Sequence, residues 1–332
     1  MNSSSDRSVP YVDEAISVDH PAYAPHQAAL RSIARVVDDS RPLQNDRVAS
    51  AGIGQLLRLR PAVLTGAGIS TGSGIPDYRG PNGSLRHHRP MTYQEFRFDP
   101  VARHRYWARS FVGWRHLEYA QPNPGHQVLA QWAQAGIISG IVTQNVDGLH
   151  QRAAQELGDD YSTVVALHGD MSEIQCLNCG AVESRASLDR RLEEANPGFL
   201  QRADTGTEDI NPDGDARLEL RWINEFQMVG CLRCDSTALK PSVVYFGEAV
   251  PAERNHRVNE LLAGSGALLV VGSSVAVMSG YRMVLDMVHR HQPVGVINAG
   301  PSRADARATF RWRADTSQAL QWLDDQVKKE FP

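Results

Sequence analysis

The sequence of 332 residues lacks several features that would place it in a specialised class of protein. Its longest weakly polar run, Gly266 to Val277, is far shorter than the ~20 apolar residues of a membrane-spanning helix, so we expect no membrane partner. The net charge is only −4, so the chain has no excess of positive charge that would attract nucleic acid. We therefore expect no nucleic-acid partner. Four cysteines are too few for a disulfide-stabilised scaffold.

The N-terminal segment also lacks a targeting signal. Residues 1 to 21 contain Asp6, Asp13, Glu14 and Asp19 and no apolar stretch, which fits neither a secretory signal nor an acid-poor transit peptide. We therefore expect a cytoplasmic protein.

The composition is that of an ordinary globular protein, with 42% hydrophobic and 22% charged residues. Apolar residues at helical spacing between residues 27 and 59 predict two short helices, separated near Pro42. Short apolar runs that end in small or polar residues then alternate with helical stretches; the runs are 62–65, 137–143, 164–167, 267–271 and 294–298. This alternation predicts an α/β fold with a doubly wound, Rossmann-like parallel sheet.

Two segments interrupt the alternation and predict a second, smaller lobe. Residues 85–121 are rich in arginine and aromatic residues and favour helix, and residues 172–238 contain all the cysteines. The predicted domains are a mobile N-terminal arm (1–27), a larger Rossmann-like domain (28–171 and 239–332, with a helical insertion at about 85–121) and a small domain (172–238).

The cysteines form two pairs, Cys176-x-x-Cys179 and Cys231-x-x-Cys234. In a cytosolic protein such pairs indicate a metal site rather than a disulfide. Four thiolates are the ligand set of a closed, structural Zn²⁺ site, so we expect one zinc ion that stabilises the small domain and takes no part in chemistry. A redox-active CxxC motif is the alternative.

The first predicted strand is followed by a glycine-rich turn, Gly66-Ala67-Gly68-Ile69-Ser70. Glycines at this position allow a tight turn and let a pyrophosphate approach backbone N–H groups. The spacing of the glycines does not match the dehydrogenase fingerprint. From this motif alone, the alternative that the turn binds no ligand therefore remains open.

Polar side chains follow the next two predicted strands. Gln144, Asn145 and Asp147 follow one strand, and His168 follows the other. Because the carboxyl ends of parallel strands meet at one edge of a sheet, we expect these side chains to face the same crevice. An amide and a carboxylate there suit a carboxamide ligand, and the position of His168 favours a functional role over a packing role.

Eight motifs occur in a fixed order between about Val63 and Asn298: GAGIS, GIPDYRG, TQNVDGLH, HGD, the paired CxxC, KPSVVYFGE, VGSS and INAG. In this order they resemble the sirtuin family of NAD-dependent protein deacylases. The segments RYWARSFVGW, QPNPGH, PDGD, SGYR and AGPSRAD are similar to its class II branch, which includes mitochondrial sirtuin four. Departures are small: Tyr78 stands where many members have Phe, and Gly72 where larger residues occur.

The resemblance implies an NAD-dependent protein-lysine deacetylase or deacylase that releases nicotinamide and O-acyl-ADP-ribose and acts on acyl-lysine proteins. The alternatives are a protein mono-ADP-ribosyltransferase and a non-catalytic NAD-sensing module. By resemblance, His168 with a pKa near neutrality would be the general base, and Asn145 and Asp147 would hold the nicotinamide.

The resemblance also implies the residues that contact NAD, the cosubstrate: Gly66, Ala67, Gly68, Ser70, Asp77, Tyr78, Arg79, Gln144, Asn145, Val146, Asp147, Gly272, Ser273, Ser274, Asn298, Ala299, Gly300 and Thr316. The substrate backbone would pair with the strand that contains Val243, Tyr245, Phe246 and Gly247.

Four arginines, Arg103, Arg105, Arg109 and Arg115, lie among aromatic residues of the predicted helical insertion. They could bind an acidic acyl chain through a guanidinium fork. We favour the alternative, an amphipathic helix with solvated arginines.

Overall fold

The computed structural model describes residues 16–38, 41–80, 83–86, 89–203 and 210–330. Residues 1–15 of the predicted arm, 87 and 88 of the predicted helical insertion and 204–209 of the predicted small domain lie outside the described residues.

The strands of the described chain are β1 Ala62–Thr65, β2 Gly140–Thr143, β3 Val164–Ala166, β4 Gly169–Cys176, β5 Val182–Ser184, β6 Leu239–Val243, β7 Leu268–Val271, β8 Val294–Ile297 and β9 Phe310–Trp312. The helices are α1 Tyr23–Ile33, α2 Asp46–Leu57, α3 Tyr93–Phe98, α4 Pro100–Tyr119, α5 Pro124–Gln134, α6 Leu149–Glu156, α7 Arg185–Ala195, α8 Phe199–Arg202, α9 Leu220–Glu225, α10 Ala252–Ala263, α11 Met278–His289 and α12 Thr316–Glu330.

Six strands form one parallel sheet in the order β3-β2-β1-β7-β8-β9. β1 lies between β2 and β7, with Ala62 paired to Gly140 on one side and to Leu268 on the other. The direction of strand succession reverses between β1 and β7, which is where open parallel sheets bind ligands. The predicted doubly wound, Rossmann-like sheet is confirmed.

Helices cover both faces of this sheet. On β1, Val63 packs in a hydrophobic cluster with α2, α5 and α12, whereas Leu64 packs in a second cluster with α10 and α11, because successive side chains of a strand point to opposite faces. Every residue of β1, β2, β7 and β8 is buried, as a parallel sheet covered on both faces requires.

The large sheet differs from the sequence prediction by more than one residue at two strands. The apolar run that begins at residue 137 becomes strand only at Gly140, and β9 was not predicted at all. β9 has three half-buried residues with Arg311 at its centre, so it carries none of the apolar signal of the central strands. The two helices predicted between residues 27 and 59 correspond to α1 and α2.

The small sheet, β5-β4-β6, is antiparallel and belongs to the second lobe. Its core includes Ile174 of β4 together with Phe96 of α3, Trp107 of α4 and Leu188 of α7. The helical insertion and the cysteine-containing segment therefore share one hydrophobic core. β4 begins at Gly169 and β6 ends at Val243, so the small sheet extends beyond the predicted range 172–238 at both ends.

The arginines of α4 are not a solvated stripe, so that interpretation is wrong. Arg109 is 6% exposed, pairs with Asp215 at 2.9 Å and donates through Nε to the Ala216 carbonyl at 2.7 Å. Arg115 pairs with Asp189 at 2.8 Å. These arginines connect α4 to the segments of the small lobe that pack on it.

Arg185, the first residue of α7, joins the two parts of this lobe from inside. Its side chain is fully buried, and it donates to the hydroxyl and the carbonyl of Ser110 at 3.0 and 2.9 Å. The guanidinium carbon lies 5.1 Å from the Trp107 ring and 5.0 Å from the Trp114 ring.

Among the described residues, no helix combines the length and the apolar character needed to span a bilayer.

We expect Arg185→Ala to lower the free energy of unfolding by about 2–4 kcal/mol, because it removes buried packing and leaves the Ser110 carbonyl without this partner. Urea denaturation followed by circular dichroism measures the loss. Arg190→Ala, an exposed arginine of the same helix, is the control and should have almost no effect. Equal losses for both variants would contradict the assigned role of Arg185.

Candidate active site

A cleft of about 1000 Å³ opens at the carboxyl ends of β1, β2 and β7, where the strand order reverses. Every residue predicted to contact NAD or substrate lines this cleft except Ser70, which is buried behind its wall. His168 lines it as well. The structure thus brings together residues spread from Gly66 to Thr316.

The floor of the cleft is formed by two turns in backbone contact. The N–H of Gly68 donates to the carbonyl of Gly272 at 2.8 Å, and Gly272 has a φ of +62°. A Cβ atom on Gly272 would lie 2.4 Å from the Ile69 nitrogen, so no side chain fits there. Two backbone turns that line the cleft at strand ends form a surface on which a pyrophosphate can approach main-chain N–H groups, so the residues present fit a dinucleotide.

Asn145, Ser70 and Asp147 form one hydrogen-bonded chain beneath the cleft. The Asn145 amide donates to the Ser70 Oγ at 3.0 Å and to the Gly66 carbonyl at 3.2 Å. The Ser70 hydroxyl in turn donates to Asp147 Oδ2 at 2.7 Å, and Asp147 Oδ1 accepts from the N–H of Leu149 at 3.0 Å. Asn145 and Asp147 are therefore fixed as neighbouring amide and carboxylate groups.

His168 is held by both ring nitrogens. Its Nδ1 lies 2.9 Å from the main-chain carbonyl of Gln144, and its Nε2 lies 2.8 Å from Ser279 Oγ. A carbonyl only accepts hydrogen bonds, so Nδ1 carries the proton and Nε2 presents its lone pair to the Ser279 hydroxyl. Nε2 is thus the nitrogen that can take a proton.

The pKa of His168 is about 4, so the expectation of a value near neutrality does not fit the structure. Burial of the ring is the largest cause of the lowered pKa, and the charge of Arg254 lowers the pKa as well. The hydrogen bond to the Gln144 carbonyl raises the pKa and so opposes the shift. At neutral pH the ring is uncharged and its Nε2 lone pair is available.

Gln144 connects the ends of three strands. Its N–H donates to the Thr65 carbonyl at 3.0 Å, and its side-chain Oε1 accepts from the Ser273 hydroxyl at 2.7 Å. Its own carbonyl orients His168. Ser279, the other partner of His168, was not identified as a site residue, although the SGYR segment that contains it was noted.

Two histidines lie under this layer. His126 Nε2 is 3.4 Å from Ser70 Oγ, His150 Nε2 is 2.9 Å from Thr65 Oγ1, and the two rings are 4.7 Å apart. Burial lowers the pKa of each to about 3, so both are neutral supports of the site.

Arg79 lines the cleft, and its guanidinium donates to carbonyls at the end of α1. The acceptors are Ile33 at 3.1 Å, Arg35 at 3.4 Å and Ser32 at 3.5 Å. Residues of α1 form part of the cleft wall. Residues 23–27, assigned to the predicted arm, therefore belong to an ordered helix at the site.

Of the predicted substrate strand only Val243 lies in β6, and residues 244–247 continue after the strand end along the rim beside His168. The N–H of Val244 donates to the His168 carbonyl at 2.7 Å, and the Phe246 carbonyl accepts from the Tyr93 N–H at 2.9 Å. Lys240 Nζ lies 3.1 Å from Glu248 Oε2, which also accepts from the Tyr245 N–H at 2.9 Å. This pair closes the strand end into a fixed loop.

The four cysteines gather away from the cleft, and none of them lines it. All four Sγ atoms lie within 4.8 Å of one another, and the Cys176–Cys234 and Cys179–Cys231 pairs are each 3.7 Å apart. Tetrahedral Zn²⁺ with bonds of ~2.3 Å places its sulfur ligands about 3.8 Å apart. The cluster thus fits a closed structural zinc site.

Comparisons with known proteins agree with this geometry. A model of the Sir2 family matches residues 66–279. "NAD-dependent protein deacetylase 1" of Corynebacterium efficiens is 55% identical over 262 residues, which are 79% of this chain and 91% of the relative. Human "NAD-dependent protein lipoamidase sirtuin-4, mitochondrial" is 37% identical over 296 residues, which are 88% of this chain and 91% of the relative.

The comparison with solved structures agrees with the family match. The complex described as "Sir2-p53 peptide-NAD+" superposes with a TM-score of 0.64 at 26% identity, and covers 84% of this chain and 98% of its own. The resemblance read from the sequence motifs is confirmed.

We expect a strong chelator to remove one zinc ion per chain and to lower the unfolding temperature by roughly 10 °C, because metal binding contributes folding free energy to the small lobe. Elemental analysis and thermal unfolding measure the two effects. Cys231→Ser should purify without zinc and with the same lowered temperature. A further drop when chelator is added to this variant would contradict a single four-cysteine site.

Proposed function

The chain belongs to the Sir2 family and is an NAD-dependent protein deacetylase or deacylase, and we propose that His168 is its general base. The observation that carries the proposal is the geometry of the ring. Nδ1 is tied to the Gln144 carbonyl, Nε2 carries the basic lone pair and accepts a hydrogen bond from the Ser279 hydroxyl, and the lowered pKa keeps the ring neutral at physiological pH. A neutral imidazole within reach of a ribose hydroxyl can accept its proton.

NAD supplies the ribose carbon that receives the acyl group as nicotinamide leaves. Asn145 and Asp147 would hold the nicotinamide carboxamide, because an amide and a carboxylate together offer the donors and acceptors that a carboxamide needs. The turns at Gly66 and Gly272 would accept the phosphates, and residues 298–300 would meet the adenosine ribose. These contacts position the reacting groups, which can supply much of the rate enhancement.

Acyl-lysine proteins are the proposed substrates. The peptide backbone would add as a strand to residues 243–247, which line the cleft next to His168. Main-chain pairing reads little sequence, so the acyl group, more than the peptide, is expected to determine selectivity. The Lys240–Glu248 pair fixes the geometry of this edge before the peptide binds.

We expect His168→Ala to lower peptide-dependent nicotinamide release by ~10²- to 10⁴-fold, the usual loss for a general base, while NAD binding is retained. Product analysis with labelled NAD is done in parallel, since label that stays on protein would indicate ADP-ribosyl transfer. His289→Ala, an exposed histidine at the end of α11, is the matched control. Undiminished nicotinamide release by the His168→Ala variant would show that His168 is not the general base.

We expect the acid limb of the pH profile to lie near pH 4 rather than near 6.5. The lowered pKa of His168 keeps the base unprotonated down to about 4, so kcat/KM should rise with pH through that value and show no histidine titration between pH 6 and 8. The measurement uses a neutral acetyl-lysine peptide. An acid limb near pH 6.5 that is absent in His168→Ala would show that the base is solvated in the free enzyme.

A further inference from the structure

A short loop of the small lobe reaches the cleft, and we name it the Asp213 loop (residues 211–216). It is closed by hydrogen bonds from Asn211 N–H to the Asp215 carbonyl at 3.0 Å and from Gly214 N–H to the Asn211 carbonyl at 2.9 Å. It rests on α4 at Gly113, where a Cβ atom would lie 2.3 Å from the Gly214 carbonyl oxygen. This close approach places Asp213 in the cleft wall.

The part of the wall that Asp213 joins is apolar and aromatic. Ile75, Met91, Tyr106 and Tyr245 line the same cleft and are buried. Burial raises the pKa of Tyr78, and a hydrogen bond and the charge of Asp213 raise it further. The Asp213 carboxyl thus lies in a weakly hydrated pocket, among neutral tyrosine hydroxyls.

The charge of the neighbouring cation is balanced within the protein. Arg109 is buried, and its Nε is engaged by Asp215 at 2.9 Å and by the Ala216 carbonyl at 2.7 Å. Asp215 therefore offsets the positive charge that could have attracted an acidic acyl chain. Asp213, a second carboxyl of the same loop, lines the cleft.

We propose that Asp213 makes the acyl pocket reject acyl chains that end in a carboxylate, so that the enzyme acts on neutral acyl-lysines. The inference rests on the proposed function, since it assigns the substrate class of that same site. An acyl carboxylate would lose its water against an apolar wall, meet a carboxyl of like charge and find Arg109 already paired. A neutral acyl group avoids all three costs.

The rejection depends on pH. Burial, and then the Asp215 carboxylate, raise the pKa of Asp213 to about 7, whereas Arg109 lowers it. Tyr78, Tyr106 and Tyr245 near it stay neutral because burial raises their pKa values. Burial also raises the pKa of Asp215, whereas the charges of Arg109 and Arg105 lower it. Asp213 is therefore mostly charged at pH 8 and mostly protonated at pH 6, while a glutaryl carboxylate with a pKa of ~4.3 is charged at both.

The experiment compares two peptides of one sequence, a glutaryl-lysine peptide and its neutral amide analogue. Nicotinamide release gives kcat/KM, and calorimetric titration gives the peptide Kd. At pH 8 we expect the unaltered enzyme to prefer the neutral peptide by at least ~10-fold, and Asp213→Asn to reduce this ratio by about 10-fold. In the unaltered enzyme the ratio should also fall from pH 8 to pH 6. Glu219→Gln, which removes an exposed charge from the same lobe, should leave the ratio unchanged.

Equal use of both peptides by the unaltered enzyme at pH 8 would overturn the proposal, as would a ratio that neither pH nor Asp213→Asn changes. The pH series uses the unaltered enzyme, so it tests the proposal even if the Asp213→Asn variant does not fold. If no acyl peptide supports nicotinamide release, the proposed function fails, and the Kd ratio alone then decides on the role of Asp213.

Discussion

The site depends on the common direction of the strands in the large sheet. Because all six strands are parallel, their carboxyl ends reach the same edge, and residues of the site follow directly after several of them. The glycine turn at Gly66 follows β1, Gln144 and Asn145 follow β2, His168 follows β3, and Ser273 follows β7. Gln144 then bonds to three of these ends, so the relative positions of base and cofactor turn follow from sheet register.

The central strands and the convergence of the site residues could be predicted because their signals are local. An apolar run followed by polar residues marks a buried strand and the edge at which it ends. The Arg109–Ala216 contact joins residues 107 positions apart, so no local pattern reveals that Arg109 is buried and paired. β9 escaped prediction because it is short and half-buried, and the pKa of His168 depends on a burial that appears only in the fold.

The second lobe supports the site through packing. Phe96 and Trp107 from the helical insertion, and Ile174 and Leu188 from the cysteine-containing segment, form a single core, so neither segment buries its apolar surface alone. That core also includes Ile75, Met91 and Tyr245 of the cleft wall. The shape of this part of the cleft is thus set by residues that lie far apart in the sequence.

The cysteine cluster has a consequence for chain entropy. Cys179 and Cys231 lie 52 positions apart along the chain, and a metal bound by both closes that stretch into a loop. Bringing the ends of such a span together costs about 4 kcal/mol of chain entropy, and metal binding in the folded lobe offsets this cost. The Asp213 loop lies inside the closed span, so thiolate ligation far from the cleft would limit the conformations open to a carboxyl that lines the cleft.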